Sequence, residues 1–191
     1  MSVEHFQEKV QQTLPQERYH HTLGVMKTAV TLAKQNGVDE TKAELAALLH
    51  DYAKPFSRQT LTEVLKRQEP HETFSEYGGV LLHAPAGAYI VRDEFGVDDE
   101  EIFQAIYWHT TGRPEMSLFE KIIFLADYIE PGRSFSGIEE VRKLTEIDLD
   151  AALLATYRNT IQHLVRGGKM VHPMTLAAYN DAIKQKNKRG A

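Results

Sequence analysis

The stretch Leu45-Ala46-Ala47-Leu48-Leu49-His50-Asp51-Tyr52-Ala53-Lys54 constrains this chain more than any other. Leu45, Leu48, Leu49 and Tyr52 recur at i, i+3, i+4 and i+7, the spacing of a helix with one face in a core. An imidazole and a carboxylate stand at the end of that stripe on adjacent residues, and a lysine follows three positions after the Asp. Burying such a pair is costly unless something compensates it. A metal ion is one such partner, provided the rest of the chain offers further ligands.

The 191 residues suit one domain with a real hydrophobic core. A net charge of −5 gives no broad basic surface for nucleic acid and no bias toward membranes. The absence of cysteine excludes disulfides and thiolate metal sites, and it suits a reducing compartment. No apolar run reaches the ~18 residues of a membrane-spanning helix. Met1 to Val10 mixes charges with apolar residues and lacks the core of a signal peptide. A cytoplasmic enzyme is the expectation. Nine histidines are the one oddity of composition, so their positions matter.

Periodicity and punctuation predict an all-α chain with no strand. Helices are expected over 3–13, ended by Leu14-Pro15, and over 16–35 with Leu23, Met26, Val30 and Ala33 inward. Asp39 starts the helix that carries His50 and Asp51, and Pro55 stops it. Residues 57–68 read as a surface helix and 69–72 as a loop. The 74–82 stretch is ambiguous because of Gly78-Gly79. Pro85 suits the first turn of a helix that reaches Phe95, before Gly96. Asp98 with Glu101 reads as a capping box for a helix that reaches Trp108-His109, and Ser117 with Glu120 as another for a helix ended by Pro131-Gly132. Two helices over 138–145 and 149–166 follow, and a last one from Thr175 frays into a basic tail over 184–191.

Several polar residues stand where this pattern wants apolar ones. His109 follows Ile102, Ala105 and Ile106 on the inward spacing. Asp127 interrupts Ile122-Ile123-Phe124-Leu125-Ala126 … Ile129, so its carboxylate should be close to fully buried. His21 opens the long helix, and His83 precedes another helix start. Each alone reads equally as a hydrogen-bonded core residue or a helix cap. Together, four histidines and two aspartates are hard to satisfy in one core, whereas two divalent cations would accept all of them. Such ligands suit iron, manganese, cobalt or zinc.

The order His21 … His50-Asp51 … His83 … His109 … Asp127 resembles the HD-domain metal-dependent phosphohydrolases, and the two intervening histidines resemble its two-metal subset. Five blocks sharpen the likeness. They are Arg18-Tyr19-His20-His21-Thr22, Leu49 to Lys54, Leu82 to Gly87, Trp108 to Arg113, and Ala126 to Arg133. With a late Val171-His172-Pro173, they resemble the YqeK-type family over about 16–180. That resemblance implies a single-domain HD helical bundle, a di-iron centre and symmetrical hydrolysis of dinucleoside tetraphosphates, diadenosine tetraphosphate giving two ADP. It also implies a homodimer.

By the family pattern, His21, His50, Asp51 and Asp127 hold one metal, and Asp51, His83 and His109 hold the second. Two cations would make a water nucleophilic for in-line attack beside the central anhydride. Lys54 reads as a catalytic phosphate contact or as a helix-end lysine. Arg133 offers a guanidinium fork. Arg18 touches substrate or orients a ligand, and His20 is exposed or supports a ligand. Thr110, in Thr110-Thr111-Gly112-Arg113, lines the substrate mouth or belongs to an ordinary glycine turn. His172 and Asn180 close over a nucleoside, or His172 lies in a surface loop. His5, His71 and His163 are assigned to the surface or to helix packing. Another HD phosphohydrolase, acting on a nucleoside mono- or polyphosphate, is the alternative within the enzyme class. A non-catalytic nucleotide-binding helical module is the alternative outside it.

Overall fold

The computed structural model describes residues 3–69 and 73–189. Its described residues form ten α-helices and no strand: α1 (Val3–Thr13), α2 (Gln16–Gln35), α3 (Glu40–Leu49), α4 (Arg58–Gln68), α5 (His83–Phe95), α6 (Glu100–Trp108), α7 (Leu118–Ile129), α8 (Ile138–Thr145), α9 (Leu149–Arg166) and α10 (Pro173–Arg189). The all-α expectation holds. Local chemistry sets most boundaries. Asp39 accepts the Lys42 N–H at 2.9 Å and Ser57 the Thr60 N–H at 3.1 Å, each satisfying an orphan donor of a first turn. The Ser117–Glu120 capping box forms as expected.

Four expectations need correction. Asp99, not Asp98, caps α6, because its Oδ1 accepts both the Glu101 and the Ile102 N–H. The Glu101 carboxylate is bound to Lys42 instead. The inner face of α2 is Thr22, Val25, Met26, Ala29, Leu32 and Ala33, while Leu23 and Val30 are half-buried. Two neighbours, α3 and α7, pack against that helix and turn its buried stripe. The last helix starts at Pro173 and continues to Arg189 without fraying at Lys184. The fourth concerns the helix with the His-Asp pair. It ends at Leu49, since the His50 ring bonds the Ala47 carbonyl that the Asp51 N–H would take in a continued helix. Tight turns then carry the chain to Phe56, with Tyr52, Lys54 and Phe56 bonding back three residues.

The ambiguous stretch resolves into two short 3-10 segments, Phe74–Tyr77 and Gly79–Leu81, separated by Gly78 at φ +95°. Of the expected 69–72 loop, Pro70, His71 and Glu72 lie outside the described residues.

The core explains why the polar residues meet. Leu48, Leu49, Ile106, Ile122, Ile123 and Leu125 are fully buried, and α3 packs on both α6 and α7. Each such side chain contributes about 1.5–3 kcal/mol by leaving water. The apolar runs of three helices thus share one interior, and the polar residues at their ends are drawn to one place. α1 is laid over this bundle by Phe6, Val10 and Leu14, with Phe6 edge-on to Phe95 at 5.3 Å. A smaller cluster of Met116, Phe124, Leu153, Tyr157 and Ala178 seats α9 and α10.

Candidate metal centre

Five elements contribute to the site. His21 lies in the second turn of α2, and His50 and Asp51 just past the end of α3. His83 is the first residue of α5, His109 follows the last residue of α6, and Asp127 stands in the last turn of α7. Helix ends leave carbonyls without intrahelical partners, and two of these histidines use them. His50 Nδ1 bonds the Ala47 carbonyl at 2.7 Å and His109 Nδ1 the Ile106 carbonyl at 2.7 Å. His83 repeats the device on the Val80 carbonyl at 2.8 Å. A carbonyl only accepts, so each Nδ1 carries the proton and each Nε2 presents a lone pair.

Those lone pairs converge on two carboxylates. Asp51 Oδ1 lies 2.9 Å from His83 Nε2 and 3.5 Å from His109 Nε2. Its Oδ2 lies 3.6 Å from His50 Nε2 and 3.8 Å from His21 Nε2. Asp127 Oδ1 is 3.0 Å from His21 Nε2 and 3.9 Å from His50 Nε2. His50 Nε2 is buried and has no hydrogen-bond partner. His21, His50 and Asp127 form one group whose ligand atoms could hold an ion, and His50, Asp51 and His109 form another. A donor set of imidazole nitrogens and carboxylate oxygens suits a first-row divalent metal. The residues fit such an ion.

Electrostatics follow from burial and crowding. Burial drives the His50 imidazole down to about 4, which keeps it neutral. Burial alone would raise Asp51, but the closeness of the His50, His109 and His83 rings outweighs it and holds its carboxyl well below the usual range. Burial lowers His21, yet its bonds to Asp127 and Glu130 outweigh that and raise it. His83 and Lys54 are both lowered, chiefly by burial. Asp127 keeps 19% of its side-chain exposure, so the expected near-complete burial is corrected to part burial.

Three cations close in on these carboxylates. Arg18 Nη1 lies 2.9 Å from Asp51 Oδ2, Lys54 Nζ 4.0 Å from Asp51 Oδ1, and Arg133 Nη2 2.7 Å from Asp127 Oδ1. Lys54 Nζ also sits 3.2 Å from His83 Nε2. Arg18, His21, Gly24 and Arg133 line a cavity of about 730 Å³. Thr110 and His172 stand apart from that group, on a separate cavity of about 440 Å³ with Tyr77 and Leu164. The surface-loop reading of His172 is wrong. Its ring is buried, stacked on Phe74 at 4.6 Å and edge-on to Tyr77 at 4.7 Å. His20, His5 and His163 are exposed, and His71 lies outside the described residues. Arg113 is bound through Nε and Nη2 to the buried Glu120 carboxylate at 2.7 and 2.8 Å, which commits it to the fold.

Sequence reasoning missed Glu130. Its carboxylate accepts from His21 Nδ1 at 3.1 Å and from the Gly132 N–H at 2.6 Å. Two signals were legible. An acidic residue at a helix C-terminus opposes the helix dipole unless it is paired. A glycine inside a helix, here Gly24, costs about 1 kcal/mol against alanine and hints at a close approach.

Comparisons agree with this geometry. The HD domain matches residues 18–132, a span that contains all six candidate ligands. A Halalkalibacterium halodurans protein named "Bis(5'-nucleosyl)-tetraphosphatase, symmetrical" is 50% identical, over 89% of this chain and 91% of its own. A Bacillus subtilis protein of the same name is 47% identical, over 90% and 92%. A crystal structure of a "predicted HD superfamily hydrolase involved in NAD metabolism" from Clostridium acetobutylicum superposes with a TM-score of 0.92 at 40% identity, covering 97% of this chain and 98% of that one. The histidines and aspartates gathered at these helix ends are therefore those of an HD-domain protein, and the chain belongs to the HD family and, within it, to the YqeK-type group of proteins named symmetrical bis(5'-nucleosyl)-tetraphosphatases.

Proposed function

We propose that this protein is a metal-dependent hydrolase that cleaves dinucleoside tetraphosphates symmetrically, turning diadenosine tetraphosphate into two ADP. The observation that carries the reading is the buried His50 Nε2, unpartnered and facing Asp51 and Asp127 from 3.6 and 3.9 Å. The names of the relatives support the substrate. We assign His21, His50, Asp51 and Asp127 to one divalent ion and Asp51, His83 and His109 to a second. Iron is our first choice, and manganese, cobalt and zinc suit the same donors. When bound, such ions lower the pKa of water and polarise a phosphoryl oxygen.

The chain's own groups supply the rest. Arg18 and Arg133 line the cleft, and Lys54, with 30% of its side chain exposed, stands beside Asp51 and His83. A tetraphosphate entering there meets one ammonium and two guanidinium groups, which counter charge growing on the non-bridging and leaving oxygens. We assign Lys54 the catalytic contact because it approaches both Asp51 and His83. Thr110 and His172 we assign to the nucleoside side. Thr110 Oγ1 is buried without a hydrogen-bond partner, and Tyr77, braced by the His172 ring on the same cavity, offers aromatic surface to a base. We take the whole chain as one catalytic unit acting in the cytoplasm as a homodimer. Among the described residues no helix is long and apolar enough to cross a membrane.

Product analysis tests the reading. Protein reconstituted anaerobically with iron, or with manganese, is incubated with diadenosine tetraphosphate and the nucleotides are separated. ADP as sole product is expected. AMP with ATP would overturn the symmetrical cleavage, and no turnover by metal-loaded protein would overturn the substrate.

A further inference from the structure

Glu130 follows the last residue of α7, and only 5% of its side chain is exposed. It accepts two N–H donors on two oxygens: His21 Nδ1 on Oε1 and the Gly132 amide on Oε2. The fold leaves room for it by omitting side chains. A Cβ on Gly24 would stand 2.5 Å from Glu130 Oε2, and one on Gly132 would stand 3.0 Å from each oxygen. Arg142 holds the backbone around it, donating to the carbonyls of Ile129, Glu130 and Arg133 at 2.8–3.0 Å. Among the candidate histidine ligands, His21 is thus the one whose Nδ1 meets a carboxylate, where His50, His83 and His109 meet carbonyls. His21 lies well inside α2, where its neighbours' carbonyls are used by the helix, so another acceptor has to come from elsewhere in the chain.

We propose that Glu130 is a positioning residue of the metal centre: its carboxylate holds the His21 ring with the proton on Nδ1 and Nε2 turned to Asp127 and Asp51. Glu130 stands on the Nδ1 side of the ring, so it does not compete for the ion. It acts through His21. A carboxylate behind a ligand imidazole both orients the ring and increases its basicity. The inference rests on the reading of His21 as a metal ligand.

The test strips the full chain of metal, titrates Mn²⁺ by calorimetry, and follows the His21 ring nitrogens by ¹⁵N NMR after loading with diamagnetic Zn²⁺. Glu130→Gln keeps the shape but has one acceptor oxygen for two donors, so its amide opposes either His21 or Gly132. Gly24→Ala keeps Glu130 but puts a methyl where its Oε2 lies; the carboxylate must swing away, while alanine favours the helix. Both variants are expected to bind Mn²⁺ about ten- to a hundredfold more weakly and to lose the single Nδ1–H signature of His21, with helical circular dichroism unchanged. Should Glu130→Gln unfold, Gly24→Ala carries the test alone. Mn²⁺ affinity within twofold of the parent protein, with the His21 tautomer intact, would overturn the proposal and leave Glu130 as a brace for the Pro131-Gly132 turn. His21→Ala separates the premise from the inference. If it binds Mn²⁺ as tightly as the parent, the ligand reading of His21 fails, and Glu130 has no metal role to support.

Discussion

His83 Nε2 and His109 Nε2 face each other at 3.1 Å, although each ring has already committed its Nδ1–H to a backbone carbonyl. Two lone pairs at that distance repel, and Asp51 Oδ1, within 2.9 and 3.5 Å of them, adds a third acceptor. One proton could relieve one of these contacts but not all of them. A divalent cation relieves them together. His50 Nε2 also has no donor, even though Arg18, Lys54 and Arg133 stand against the two carboxylates beside it.

Asp51 touches both sets of histidines, so removing its charge should empty the centre. Asp51→Asn is expected to lower metal-dependent turnover by more than about a hundredfold, beyond the range seen for groups behind a ligand. His83→Ala should do the same, with helical circular dichroism nearly unchanged in both. Turnover surviving in either variant would end the two-metal assignment.

Metal should also stabilise the fold. The ion binds a site that the unfolded chain lacks, so a free concentration of 100 times Kd adds about 2.7 kcal/mol. At this chain length that corresponds to a rise in Tm of roughly 5–10 °C. Thermal scans with Mn²⁺ and with chelator measure it, and identical midpoints would count against a structured site.

Two glycines with the same backbone handedness should respond very differently to alanine. Gly112 has φ +64° and a Cβ there would fall 2.0 Å from the Tyr157 hydroxyl, in the core; Gly37 has φ +67° and open space around it. Gly37→Ala should cost about 1–2 kcal/mol from backbone strain alone. Gly112→Ala adds the cost of forcing a packed ring aside, for about 2–5 kcal/mol in all. Urea unfolding compares them directly.

Alkaline pH should destabilise the protein through Tyr157. Burial, helped by the nearby charges of Glu120 and Asp181, raises its phenol above the usual value near 10. The folded state therefore prefers the protonated form. That contribution is complete below about pH 10 and is lost as pH rises toward the folded value, at about 1.4 kcal/mol per pH unit. Tyr157→Phe, which also removes the 3.0 Å contact with Met116 sulfur, should flatten the slope of stability against pH above 10. An unchanged slope would show that the phenol does not carry it.

Much of the site was legible because each candidate ligand breaks a local pattern. Asp127 interrupts an apolar run, and His109 continues the inward spacing of Ile102 and Ile106. Residues of that kind can be read from one helix at a time. The cap of α6 was misplaced by one residue because Asp98 and Asp99 are equally good caps, and only the backbone's entry angle chooses between them. The surface reading of His172 failed because the ring is held by Phe74 and Tyr77, nearly a hundred residues earlier in the chain.

By itself, then, the sequence determined the helices, most of their boundaries and the identity of the six polar residues that turn inward. These depend on period, capping and hydrophobicity, which act within a few turns. Only the tertiary structure decided which atom of each residue meets which. The tautomers of His50, His83 and His109 come from carbonyls freed at helix ends, and that of His21 from Glu130, 109 positions away. Such contacts depend on where α2 and α7 lie against each other, and no local pattern encodes that.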